Sequence, residues 1–247
     1  IEGVYAIIPT PATADADKWS AVDTVDLVEA ERLTRALVDD GVDGLIITGT
    51  TGEAATLTDD EWKSFVDCVL STVGGRIPTF VGATTMGMHQ TVERLRFIRE
   101  RGAAGTMLGL PMWQPCTEDM GVRFYATISE AFPDLSIMAY MNTGAFRFDF
   151  SVPFWQRVVD AAPTVQSAKW TRTTPFDECV AATGGRINFL PIDMSCVPVA
   201  KADPDHVIAI GSVSTLWRPT SRGRVRRSSP RTRRNSGSTT SRSRRSG

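Results

Sequence analysis

The chain has 247 residues, 42% of them hydrophobic and 22% charged, which suits a globular body with a sizeable core and excludes a fibrous or largely disordered chain. No apolar run approaches the roughly 20 residues that a membrane-crossing helix needs. The net charge of −1 hides two unlike parts: residues 218–247 hold 11 Arg and no acid, which leaves 16 Lys and Arg against 28 Asp and Glu in residues 1–217.

The chain begins at Ile1 rather than Met, so some preceding sequence is expected. The first apolar run is VYAIIPT (4–10), ending at Thr10. The second, GLIITG (44–49), leads into the turn GTTGE with Thr50, Thr51 and Gly52 at its centre. Four or more consecutive apolar residues read as a buried strand. A helix follows over 59–73, opened by Thr58 and Glu61 as a capping box. Its Trp62, Phe65, Val66, Val69 and Leu70 recur at helical spacing and predict one buried face. IPTFVGA (77–83) ends before Thr84 and Thr85, and GTMLGLP (105–111) ends before Trp113.

SIMAYMN (136–142) carries Tyr140 and Asn142 at its end. Another helix opens at Ser151, with Pro153 in its first turn. VQSAKW (165–170) holds Lys169, and INFLPID (187–193) and HVIAIGS (206–212) complete eight runs. Several are continuously apolar, as parallel strands covered on both faces should be. Eight strands alternating with helices predict an α/β fold, a (β/α)8 barrel over residues 1–210. Catalytic groups in such barrels sit at the C-terminal ends of the strands. That directs attention to Thr10, Thr50, Thr51, Thr84, Thr85, Trp113, Tyr140, Asn142 and Lys169.

Lys169 lies inside an apolar run, where a lysine is expensive to bury unless paired or deprotonated. A neutral amine is also a nucleophile towards ketones. The plainer alternative is a strand-end lysine reaching solvent or a salt bridge. Tyr140 could be packing alone, but an adjacent parallel strand brings it towards Lys169. GTTGE could be a tight turn followed by a helix cap; equally, its hydroxyls and backbone N–H groups suit a small carboxylate. Trp113 is either a core tryptophan or a flat wall for a ring.

Together these parts resemble the pyruvate-dependent class I aldolases, the family of dihydrodipicolinate synthase and N-acetylneuraminate lyase, over about residues 3–193. The resemblance implies that Thr50 and Thr51, with Gly52, hold a pyruvyl carboxylate, that Thr50 relays protons with Tyr140, and that Lys169 forms a Schiff base. Within that family, GATT (82–85), LPMWQP (110–115) and YMNTGAF (140–146) are similar to the hydratase-aldolases of polycyclic aromatic hydrocarbon breakdown. Those enzymes convert trans-o-substituted benzylidenepyruvates to an aromatic aldehyde and pyruvate. The synthase branch has Tyr-Asn where this chain has Tyr140-Met141-Asn142. The o-carboxy substrate is the preferred expectation, with Trp113 against the ring and Asn142 on the added water.

The resemblance further implies no cofactor beyond the covalent lysine–pyruvyl imine, a cytoplasmic location and homo-oligomers. His89 and His206 are the only histidines and form no ligand-spaced motif, so no metal is expected. No phosphate-cradling loop is convincing. Cys68, Cys116, Cys179 and Cys196 are scattered, as in reduced cytosolic proteins. Two alternatives remain: another aldolase of the family, such as the synthase itself or a sugar-acid lyase, and nucleic-acid binding through the basic tail.

That tail, residues 211–247, is expected to be anomalous. A barrel's eighth strand should be followed by a covering helix, and the resemblance implies further helices after it, yet residues 218–247 hold 11 Arg and 8 Ser and only one large aliphatic residue, Val225. Such a segment cannot present an apolar helix face. Arg with Ser, Pro, Gly and Thr, without Lys or acid, is what GC-rich coding DNA yields out of frame. On this expectation the chain as written lacks its last helix and C-terminal helical extension, is poorly stable and is weakly active. Another reading frame of the gene should restore an apolar-periodic helix after the eighth strand. If none does, and the 247-residue chain is soluble and active, the expectation is wrong.

Overall fold

The computed structural model describes residues 2–171 and 175–192 and the backbone of 209–213. The expectations for Cys196, His206 and residues 214–247 lie outside these described residues. Eight strands are present: β1 (Gly3–Ile7), β2 (Gly44–Ile47), β3 (Thr79–Gly82), β4 (Gly105–Leu108), β5 (Ser136–Tyr140), β6 (Val165–Trp170), β7 (Asn188–Pro191) and β8 (Ala209–Val213). Each falls within or against one of the apolar runs. The helices are α1 (Leu27–Asp39), α2 (Asp59–Val73), α3 (Met88–Glu100), α4 (Glu118–Ala131), α5 (Thr143–Phe146), α6 (Val152–Ala161) and α7 (Phe176–Thr183).

The sheet runs β7-β6-β5-β4-β3-β2-β1-β8, and its paired strands are parallel. Its two edge strands, β7 and β8, approach one another, so the sheet curls into the expected barrel. Strand register fixes which side chains face inward. Tyr5 lies opposite Gly44, Phe80 opposite Gly105, and Gly82 opposite Met107. Large residues therefore fill space that the glycines leave empty. A Cβ on Gly44 would overlap the Tyr5 ring, and one on Gly105 the Phe80 ring. Tyr5 and Phe80 themselves meet edge to face at 6.1 Å.

Helix α2 shows how the outer layer attaches. Trp62, Phe65, Val66, Val69 and Val73 are buried on one face, while Leu70 is only half-buried. Val73, one turn beyond the predicted stripe, completes it. Full burial of such side chains stabilises by about 1.5–3 kcal/mol each. The Trp62 indole N–H donates to the Gly82 carbonyl at 3.1 Å and ties α2 to the end of β3.

On the other side of the barrel, α6 starts at Ser151, whose hydroxyl accepts from the Phe154 N–H. Phe148, Phe150, Phe154 and Trp155 pack with centroids 4.9–5.9 Å apart, and Trp155 meets Phe189 of β7 at 5.2 Å. Phe189 in turn meets Trp170 of β6 at 5.2 Å. This aromatic cluster covers the outer face of β6, opposite the face that carries Lys169.

The capping box extends further than the helix it opens. One Glu61 oxygen accepts from the Thr58 N–H and hydroxyl, at 2.9 and 2.8 Å. The other accepts from the Thr24 N–H and hydroxyl, at 2.8 and 2.6 Å. Glu61 thus staples the long β1–α1 connection to the start of α2. These donors, the Thr24 hydroxyl first, lower its pKa from 4.5 to about 2. A carboxyl whose folded pKa is depressed stabilises fully above its ordinary range and loses that contribution as pH falls towards 2. Glu61→Gln should cost about 1 kcal/mol at pH 7, modest because the group is partly open to water. In urea unfolding the gap between parent and variant should narrow at pH 3; a gap that widens in acid would contradict the staple.

Candidate active site

The turn after β2 departs from ordinary backbone at two places. Thr48 and Glu53 both have positive φ, 53° and 52°. The left-handed region is costly for a β-branched residue and persists only where its surroundings hold it. The Thr48 hydroxyl donates to the Gly82 carbonyl at 2.9 Å, and a Cβ on Gly82 would overlap the Thr48 carbonyl. Gly52 folds back so closely that a Cβ there would lie 2.9 Å from the Thr48 nitrogen. The Gly52 carbonyl accepts from the Thr10 hydroxyl at 2.7 Å, which ties the end of β1 to the turn. Within this frame Thr50 and Thr51 sit side by side. Among the described residues, neither of their backbone N–H groups donates to another backbone carbonyl.

Tyr140 ends β5, directly beside Lys169 of β6 in the register. Side chains at paired positions of parallel strands share a face, so both point into the barrel. Lys169 is 4% exposed, and its Nζ lies 4.5 Å from the centroid of the Tyr140 ring. Among the described residues, no carboxylate pairs with it. The alternative of a lysine in a salt bridge finds no partner there. The Tyr140 hydroxyl shares a 2.8 Å hydrogen bond with the Thr50 hydroxyl and accepts a second from the Asn142 side-chain amide at 3.2 Å. With Asn142 donating into its oxygen, the phenol proton is free to be given to Thr50 or to a ligand.

Thr50 and Tyr140 line a pocket open to solvent, with about 390 Å³ of empty space when the solvent at its mouth is counted. Thr48, Gly49 and Thr84 complete its polar side, and Ala54, Ala55, Met107, Met112, Ala145 and Phe146 its apolar side. Phe146 packs edge to face on Tyr140 at 5.5 Å. Lys169, Thr51, Gly52, Asn142 and Trp113 are not among the lining residues: Lys169 lies beneath the Tyr140 ring, and Gly52 supports the turn. Asn142 caps α5 by accepting from the Ala145 N–H at 3.0 Å, besides meeting Tyr140.

Trp113 is 69% exposed in the β4–α4 loop, which excludes the core alternative and sets it outside the pocket proper. The two adjacent threonines after β3 have separate tasks. Thr84 lines the pocket and accepts from the Gly109 N–H at 2.8 Å; Thr85 bonds Thr91 and the Gly87 carbonyl at the entry to α3. Met107, Ala54, Ala55, Ala145 and Phe146 carried no signal of their own in the sequence, since apolar residues beside a strand end read as core. His89 is exposed.

A model of the Dihydrodipicolinate synthetase family matches residues 12–174. The chain is 42% identical over 217 residues to a trans-O-hydroxybenzylidenepyruvate hydratase-aldolase of Sphingobium xenophagum, covering 88% of this chain and 64% of that protein. It is 35% identical over 215 residues to a trans-2'-carboxybenzalpyruvate hydratase-aldolase of Nocardioides sp. (strain KP7), covering 86% and 65%. A solved structure described as PhdJ bound to substrate intermediate superposes with a TM-score of 0.82 at 39% identity, covering 86% of this chain and 67% of the other. The chain thus spans just under two thirds of the length of these curated relatives. The parallel barrel agrees with this match, and the chain belongs to the dihydrodipicolinate synthetase family.

Proposed function

We propose that the protein is a hydratase-aldolase that cleaves a trans-o-substituted benzylidenepyruvate into an aromatic aldehyde and pyruvate. The observation that carries this reading is the triad of contacts around Tyr140: Lys169 against its ring, with Thr50 and Asn142 on its hydroxyl. It is supported by the names of the relatives, hydratase-aldolases at 35–42% identity. The apolar side of the pocket also suits an aromatic ring better than the hydroxyls of a sugar acid.

On this proposal Lys169 attacks the C2 ketone and, with loss of water, forms a protonated imine conjugated to the side-chain alkene. Thr50, Thr51 and the backbone of Gly52 hold the pyruvyl carboxylate. The imine withdraws electrons from the distal alkene carbon, so water adds there while the neighbouring carbon gains a proton. Tyr140, with Thr50, is the proton shuttle. Asn142 orients the water or the new hydroxyl. That hydroxyl then loses its proton, the carbon–carbon bond breaks, and its electron pair flows into the iminium. The aldehyde leaves, the enamine is protonated, and hydrolysis releases pyruvate and Lys169. Trp113 and Met112 flank the ring of the substrate. An o-carboxy substituent is our preferred substrate.

The same proposal places the enzyme in the cytoplasm, as the thiols of Cys68 and Cys116 suit a reducing compartment, and in a homo-oligomer. Among the described residues no helix is long and apolar enough to cross a membrane.

Borohydride reduction in the presence of pyruvate should add a reduced pyruvyl group at Lys169, read by mass spectrometry of the peptides, and Lys169→Ala should abolish it. Labelling at another lysine, with the Lys169→Ala variant still active, would sink the assignment. Trp113→Ala should raise KM for benzylidenepyruvates by roughly tenfold while pyruvate trapping stays intact, the pattern of a residue that meets only the aromatic half. Equal loss of both activities would remove Trp113 from the substrate site.

A further inference from the structure

Arg147 is the residue after the four-residue helix α5, and its backbone is left-handed, with φ 49° and ψ 42°. A non-glycine residue there is strained and persists only where its surroundings hold it. Its guanidinium reaches across to the β4–α4 loop, where a single nitrogen, Nη2, donates to the Met112 carbonyl at 2.9 Å and to the Trp113 carbonyl at 2.8 Å. Both bonds are charge-assisted and therefore stronger than ordinary ones. From its other side the loop is held by the Gly109 N–H, which donates to the Thr84 hydroxyl at 2.8 Å, and by the longer bond from the Met112 N–H to the Thr85 carbonyl at 3.3 Å.

These contacts join two walls of one pocket. The β4–α4 loop brings Met112 to the pocket and carries Trp113; α5 contributes Ala145 and Phe146. Phe146 also closes over Gly109, where any side chain would overlap its ring. The walls belong to different βα units, more than 30 residues apart in sequence, and Arg147 supplies polar links between them.

We infer that Arg147 is a positioning residue that latches the β4–α4 loop to α5 and so fixes the aromatic half of the pocket. It acts through Met112 and Trp113 and touches no reacting atom. The left-handed residue ends α5, and from there the guanidinium reaches the two loop carbonyls. The latch rests on contacts alone; its kinetic consequence rests on the hydratase-aldolase reading.

Two variants of the full 247-residue chain test it. Arg147→Met keeps the length of the stem but removes every donor; Arg147→Lys keeps a charged donor. In hydrogen–deuterium exchange, residues 110–116 of Arg147→Met should exchange on the order of tenfold faster than in the parent, as expected for two lost charge-assisted bonds. Arg147→Lys should restore much of the protection, and the rest of the barrel should be unchanged. With o-carboxy- or o-hydroxybenzylidenepyruvate, Arg147→Met should raise KM about tenfold with kcat within about twofold, while borohydride trapping of pyruvate at Lys169 keeps its parental rate. Unchanged loop exchange, or faster exchange throughout the barrel, overturns the latch. So does a fall in kcat and trapping at constant KM. A parent that neither traps pyruvate nor cleaves either substrate defeats the functional reading instead, and loop exchange alone then decides the role of Arg147.

Discussion

A lysine held at 4% exposure beside a tyrosine ring is an unfavourable thing to build, and much of the barrel's open end is arranged around it. The outward neighbours of Lys169 on β6 are Ala168 and Trp170, and Trp170 is locked by Phe176 and Phe189. That aromatic packing gives β6 no freedom to rotate its lysine towards water. The inward face is set by the register with β5, where Tyr140 stands opposite. A shift by one residue would send Lys169 into the aromatic layer and bring Ala168 or Trp170 inward. The site is therefore a consequence of strand register, which the hydrophobic layer outside the barrel enforces.

The second constraint is the threonine turn after β2. Thr50 can reach the Tyr140 hydroxyl only because the chain leaves β2 through a left-handed Thr48 and folds tightly over Gly52. Its neighbours hold it from three sides: Thr10 through the Gly52 carbonyl, Gly82 through the Thr48 hydroxyl, and Trp62 through that same Gly82 carbonyl. β1, β3 and α2 thus all act on the geometry of one five-residue segment. Its position is a property of the barrel as a whole.

Much of this was legible in the chain. The eight apolar runs marked the strands because parallel strands are buried on both faces, and Thr58 with Glu61 marked the start of α2. Tyr140, Lys169 and Thr50 stood out because polar groups at the ends of buried strands are costly without a purpose. Contacts that depend on topology were not legible. Glu61 reaching Thr24 and Arg147 reaching Met112 and Trp113 span 34 to 37 residues, and no local pattern announces them. The exposure of Trp113 could not be read from its apolar flanks. Nor could Thr48 be picked out as left-handed, since β-branched residues ordinarily avoid that conformation.

The left-handed Thr48 has a consequence for molecular recognition. Flexible loops must be ordered when a ligand arrives, and the lost entropy weakens binding. Here the ordering is completed during folding, in a backbone conformation that the surrounding strands impose. The N–H groups of Thr50 and Thr51 and the hydroxyl of Thr50 are already fixed before any ligand enters. On the proposed function the guest is a small carboxylate, which has little contact area with which to organise a protein, so a turn ordered in advance is the kind of site that would hold it. Relaxing Thr48 would then leave the donors in place chemically while removing the order that such a guest would need.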